Sequence, residues 1–199
     1  MSETERKILA LGEFGAQVLP DLYVVSWLGM CRPKIDCHVY VLRGPEGLML
    51  IDCGTPWGFE RIRRNMAHWG LDLAAVRTVL CTHSHVDHVS GGYRFKAFGA
   101  EFLGHFDILT ETEMQWEAQG VLDEKGCAYR MDGTLADGDH LRRCGFPIEV
   151  LHTPGHTSGC LSFLIPVNGA RCLFSGDLVM SDGLPGWAGD PGHDDAALV

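Results

Sequence analysis

One segment constrains this chain more than any other: Thr82-His83-Ser84-His85-Val86-Asp87-His88 sets four potential metal ligands within six residues. It opens directly after Thr78 to Cys81, a short apolar and β-branched run read as a strand. His83 and His85 are two apart, and in extended chain that spacing puts both imidazoles on one side, whereas a helix would turn them apart. The pair can share one metal. Asp87 and His88 follow where the chain must turn, and Gly91-Gly92 just beyond lets backbone pass close by without a Cβ clash. A second metal is then within reach. Imidazole and carboxylate suit zinc, iron or manganese, with zinc about 2.0 to 2.2 Å from its ligands. A lone histidine here would usually mark only a solvated polar loop; four such residues together rarely arise by chance.

Two later segments share the same grammar, an apolar strand ending in a Gly-flanked polar residue: Thr153-Pro154-Gly155-His156-Thr157 and Phe174-Ser175-Gly176-Asp177. Each places one further ligand at a strand end. The remaining strand-like runs are Leu22 to Trp27, His38 to Leu42, Leu48 to Ile51, Ile148 to Leu151, Leu161 to Ile165 and Cys172 to Phe174. Thr55-Pro56 reads as N-cap and first helical residue of an amphipathic helix carrying Phe59, Ile62, Met66 and Trp69 on one face. A second, more mixed helix is expected from Asp107 to Gln119. Strands at both ends with helices between suggest an α/β or α+β sandwich, whose topology the order alone does not fix.

A chain of 199 residues is about one domain's worth, so residues 1–199 are read as a single domain. Acidic residues outnumber Lys plus Arg by 26 to 16, a formal charge of -10 that argues against nucleic acid and anionic membrane surfaces as partners. Two divalent ions would offset about +4 of this locally, so a small anionic substrate stays compatible with the site. The eight cysteines are scattered without a CxxC pair and read as reduced thiols. The first twenty residues read as neither signal peptide nor membrane span, which makes a cytoplasmic location the default.

HxHxDH, then a PGHT histidine, then an SGD aspartate, in this order and spacing, resembles the metallo-β-lactamase superfamily, and within it the glyoxalase II-like and lactonase-like hydrolases. Leu50-Ile51-Asp52-Cys53-Gly54 is similar to the family's hDxG strand end, so the resemblance spans roughly residues 22 to 180. It implies a four-layered αβ/βα sandwich with two divalent metals, most commonly zinc, at the sheet edge. His83, His85 and His156 would hold the first metal, Asp87 and His88 the second, and Asp177 would bridge them. Asp52 would support the metal loop without being a ligand. The family's usual final histidine lies after another helix and strand; His193, only 16 residues beyond Asp177, has no strand ahead of it and is not read as that ligand. The last strand and helix of the sandwich are expected to be missing, with a helix beginning at Asp194.

The implied reaction is hydrolysis of an ester, thioester, lactone or amide by a metal-activated water, Asp87 being the catalytic residue that orients the water as well as binding metal. Two other readings stay open. One is a persulfide-dioxygenase-like oxidoreductase with a single iron on His83, His85 and His156; the other is a non-catalytic metal-binding remnant. His85 at the second motif position resembles the hydrolases, and neither the basic surface nor the clamping arm of a tRNA-processing nuclease is visible. His38, His68, His105 and His152 read as packing or surface residues, His140 as an exposed turn, Tyr93 as core near a helix start, and Cys160 as a small buried residue.

Overall fold

The computed structural model describes residues 11–28, 30, 36–106 and 131–179. Two sheets carry the fold. The first has seven strands in sequence order: β1 (Ala16–Leu19), β2 (Leu22–Ser26), β3 (Val39–Gly44), β4 (Gly47–Ile51), β5 (Val76–Leu80), β6 (Glu101–Gly104) and β7 (Gly133–Thr134). β1 to β4 pair antiparallel and β4 to β7 parallel. The second sheet is an antiparallel meander of β8 (His140–Arg143), β9 (Phe146–His152), β10 (Leu161–Val167) and β11 (Ala170–Phe174).

The parallel step from β4 to β5 needs a crossover, and α1 (Phe59–His68) supplies it. Phe59, Ile62 and Met66 are buried at the helical spacing that the sequence showed. The helix starts later than Thr55-Pro56, at Phe59, with Gly58 as its cap. Thr55 instead closes the turn ahead of the helix, its Oγ1 accepting from the Gly58 N–H at 3.1 Å. Proline at 56 sets that turn, and a hydroxyl three residues before the Gly58 N–H satisfies one of the donors a helix start leaves open.

Alternation along the central strands explains how one sheet feeds two cores. Val39, Val41, Leu48, Leu50 and Val79 face a cluster with Phe59, Ile62, Met66, Phe95 and Phe102. Leu42, Met49, Ile51 and Leu80 face the other way, against Ile148, Val150, Leu161, Phe163 and Ile165 of the second sheet. With both faces buried, β4 reads as an unbroken apolar run. Helix, sheet and sheet are three layers of the expected sandwich; the Asp107–Gln119 helix, His193 and the helix expected from Asp194 lie outside the described residues. No helix among the described residues is long and apolar enough to cross a membrane.

β1, β6, β7 and β8 lie outside the runs read as strands from the sequence. Each is short or mixed in polarity, with β8 partly exposed along His140-Leu141-Arg142-Arg143. Their strand character comes from ladder partners far along the chain, as in Leu103 opposite Gly133.

Candidate metal centre

The strand ends of both sheets converge on one place. β5 runs into the extended Cys81 to His85 stretch, after which the one-turn helix α2 (Val86–Val89) carries Asp87 and His88, and α3 (Gly92–Lys96) follows. From the second sheet, the loop after β9 brings His156, and the turn after β11 brings Asp177. Two glycines make the approach possible. A Cβ at Gly91 would lie 2.6 Å from the Cys53 carbonyl oxygen, and one at Gly176 would lie 2.5 Å from Thr82 Oγ1 and 3.2 Å from His83 Nδ1.

One ligand atom from each of His83, His85, His156 and Asp177 lies within 4.8 Å of the other three. The imidazoles are face to edge, with ring centroids 4.7 Å apart for His83 and His85 and 4.8 Å for His83 and His156. His88 joins from the other side, 4.0 Å from His83 by ring centroid. Its Nε2 is 3.4 Å from Asp177 Oδ1 and 3.7 Å from Asp87 Oδ2, while Asp177 Oδ2 is 4.0 Å from His156 Nε2. The two oxygens of Asp177 thus face two different histidines. Every residue read from the motifs as a ligand is at this centre.

Asp52 and Thr82 set the direction of the rings. Asp52 holds a left-handed φ of 59° just after β4, a conformation Asp tolerates better than most residues. Its Oδ1 accepts from the Thr82 N–H at 2.8 Å, and its Oδ2 accepts from Thr82 Oγ1 at 2.8 Å and pairs with His88 Nδ1 at 2.8 Å. Because the single Thr82 hydroxyl proton goes to Asp52, His83 Nδ1, 3.0 Å from Thr82 Oγ1, must be the donor in their contact. Both rings therefore carry a proton on Nδ1, and His83 presents the Nε2 lone pair. Buried Nε2 atoms of His83 and His88 have no hydrogen-bond partner. Orphaned nitrogens beside carboxylates, their far sides fixed by hydrogen bonds, are the donor set of a divalent cation.

Electrostatics agree. Burial, reinforced by His88, His85 and His156, holds His83 well below the usual imidazole range. Burial opposes charge on His88 too, but Cys37, Asp177, Asp52 and Asp87 outweigh it and raise His88 well above that range. At Asp177 burial is outweighed by His88, His156 and His85, which hold the carboxyl below its ordinary range. Acidic groups thus crowd His88, where a bound cation would balance them.

Two residues near the centre were not read as part of it, His38 having been taken as a packing or surface residue. His38, partly buried just ahead of β3, is lowered by burial, with Asp177 and His88 both within electrostatic reach. Cys37 is buried against His88 and Asp52, and burial pushes its thiol up to about 12. Their only sequence signal was adjacency to an apolar strand. His105 stacks on His152 at 4.7 Å, and His68 on Phe14 at 4.1 Å, as packing residues do. Cys160 is buried, as its reading required; His140 is exposed but begins β8 rather than sitting in a turn. Tyr93 is partly buried on α3.

The comparisons point the same way. The family profile of the metallo-beta-lactamase superfamily matches residues 32–198. A hydroxyacylglutathione hydrolase of Brucella ovis is 32% identical over 157 residues, covering 77% of this chain and 51% of the relative. A zinc-dependent hydrolase of polyketide biosynthesis from Bacillus velezensis is 29% identical over 160 residues, covering 78% of this chain and 60% of the relative. The chain therefore spans about half to three fifths of the curated relatives it matches. Among solved structures, a metallo-beta-lactamase family protein from Thermus thermophilus has the same fold, with a TM-score of 0.70 at 23% identity, covering 92% of this chain and 67% of that one. With its HxHxDH segment, the PGHT histidine and the SGD aspartate gathered at one edge of a two-sheet sandwich, this chain belongs to the metallo-beta-lactamase superfamily.

Proposed function

We propose that the protein is a dinuclear zinc hydrolase that cleaves an ester, thioester, lactone or amide of a small molecule. One observation carries the reading: Asp177 turns one oxygen toward His88 and the other toward His156, at 3.4 and 4.0 Å. That is the disposition of a carboxylate shared between two ions. His83, His85 and His156 would hold the first ion, Asp87 and His88 the second. Bound divalent ions would lower the pKa of a coordinated water to about 7 and polarise a substrate oxygen. Asp87, partly buried on α2, would orient the attacking water. Asp52 and Thr82 keep the two imidazoles from rotating, so the ligand set is ready before substrate arrives.

The relatives favour acyl chemistry. One of them is a hydroxyacylglutathione hydrolase, and because an acylglutathione is a thioester, the likeness supports a thioester or related acyl substrate here. Six cysteines among the described residues stand outside any disulfide, which supports a reducing compartment, and the cytoplasm is the proposed location. Elemental analysis of the full chain, purified without chelator, tests the reading. Two zincs per chain are expected, together with hydrolysis in a panel of thioesters, lactones and esters. A single iron would replace this reading with sulfur oxidation. No bound metal, with His83 and His156 intact, would overturn the catalytic reading.

A further inference from the structure

The loop that carries His156 has little apolar surface to hold it in place. From Thr153 to Cys160 only Pro154 and Cys160 are apolar, so hydrogen bonds must supply what burial does not. The neck closes where the Thr153 N–H donates to the Cys160 carbonyl oxygen at 2.9 Å, and the Thr157 N–H reaches Cys160 Sγ at 3.3 Å. Between these contacts His156 Nε2 stands 2.9 Å from His85 Nδ1, near enough for both to take one ion.

One side chain outside the loop ties it down. His152, the last residue of β9, donates from Nε2 to the Ser158 carbonyl oxygen at 2.8 Å, two residues past His156. A carbonyl oxygen only accepts, so the ring proton is on Nε2. The main chain of His152 is fixed on both sides, since it pairs with Leu161 of β10 and its N–H donates to Asp137 Oδ1 at 2.8 Å. Its ring is fixed as well. Alternation puts His152 in line with Ile148 and Val150 of β9, and His105 in line with Leu103 of β6, so both imidazoles extend the core between the sheets. They stack there 4.7 Å apart by centroid and 3° from parallel. The stack packs one face of the ring, and the ring's edge reaches the loop.

We propose that His152 is a positioning residue for the first metal ion: backed by His105, it donates to the His156 loop and sets that ligand in place before metal arrives. This rests on the first ion of the reading above and not on the second.

Two variants separate the hydrogen bond from the stack. His152→Phe keeps a flat ring against His105 and removes the donor, whereas His152→Gln keeps an N–H donor at similar reach and removes the ring. Zinc is titrated into the chelator-stripped full chain against a competing chelator, with the imidazole nitrogen-15 signals of His83 and His156 reporting the first ion. Affinity should fall about 10-fold in His152→Phe, the lower end of what losing an outer partner of a metal ligand costs, and stay near wild type in His152→Gln. Amide exchange over residues 153–160 of the metal-free chain should quicken in His152→Phe alone. Equal affinity in His152→Phe and wild type would overturn the positioning role and leave the metal reading standing. A His152→Gln variant as weak as His152→Phe would assign the effect to the stack and overturn the role too. Zinc that moves neither signal in wild type would overturn the metal reading and this role with it. If His152→Phe fails to fold, the wild-type spectrum decides: His152 is expected as the Nε2–H tautomer, and a proton on Nδ1 instead would sink the role.

Discussion

Asp52 shows how much a single carboxylate can organise. It is 2% exposed and surrounded by three donors, the Thr82 N–H, the Thr82 hydroxyl and His88 Nδ1, each at 2.8 Å. Its left-handed φ is a local cost that the surrounding structure must hold in place. Asn in its place keeps the shape but turns an amide toward one of those donors. His88 then loses the acceptor that fixes its tautomer. Asp52→Asn is expected to weaken the second metal 10- to 100-fold, the usual effect of losing an outer partner of a metal-bound imidazole. The first metal should suffer less, because His83 is held through Thr82. Zinc titration by calorimetry reads the two sites separately, and equal affinities in wild type and variant would remove Asp52 from this role.

At the scale of elements, β3 and β11 meet through Tyr40 and Phe174, whose rings stand edge to face at 5.1 Å across the gap between the sheets. Burial, with Cys37 and Asp52 nearby, raises the Tyr40 hydroxyl from 10.0 to about 12. The unfolded chain therefore releases this proton first as pH rises. Stability associated with Tyr40 is intact below about pH 10 and is lost progressively toward pH 12, by about 2 kcal/mol. Tyr40→Phe should flatten that alkaline decline, as read by urea unfolding at pH 9, 10 and 11; an unchanged decline would assign it to other groups. Such contacts also mark what the sequence could not supply. The ligand set was legible because HxHxDH, PGHT and SGD each carry chemistry in a few consecutive residues, and the central strands were legible because their apolar runs are continuous. Cys37 and His38 were not, since nothing local says that the stretch before β3 lies beside α2. The helix start at Phe59 was missed because Thr55 and Pro56 have the chemistry of a helix cap but use it to close the preceding turn.

For the whole molecule, the position of the metal centre matters as much as its ligands. His83, His85, Asp87 and His88 follow β5 of the first sheet, while His156 and Asp177 follow β9 and β11 of the second. Elsewhere the two sheets adhere through apolar contact, as where Met49, Ile51 and Leu80 meet Val150, Leu161 and Phe163. At this edge the groups facing each other are imidazoles and carboxylates, which gain little from mutual burial without a cation. A metal bound at this centre would join the sheets where the apolar core stops. A ligand free at 100 times its Kd contributes about 2.7 kcal/mol to the folded state, which for a chain of this size is a Tm shift of roughly 5 to 10 °C. Chelation should therefore lower the midpoint by that order. The loss of hydrogen-exchange protection should concentrate in residues 153–160 and 175–178, whose loops depend on the centre, and spare β4 and β5, which are buried on both faces. A uniform loss of protection would mean that the metal supports the fold as a whole, and no loss would mean that the two sheets hold this edge together without it.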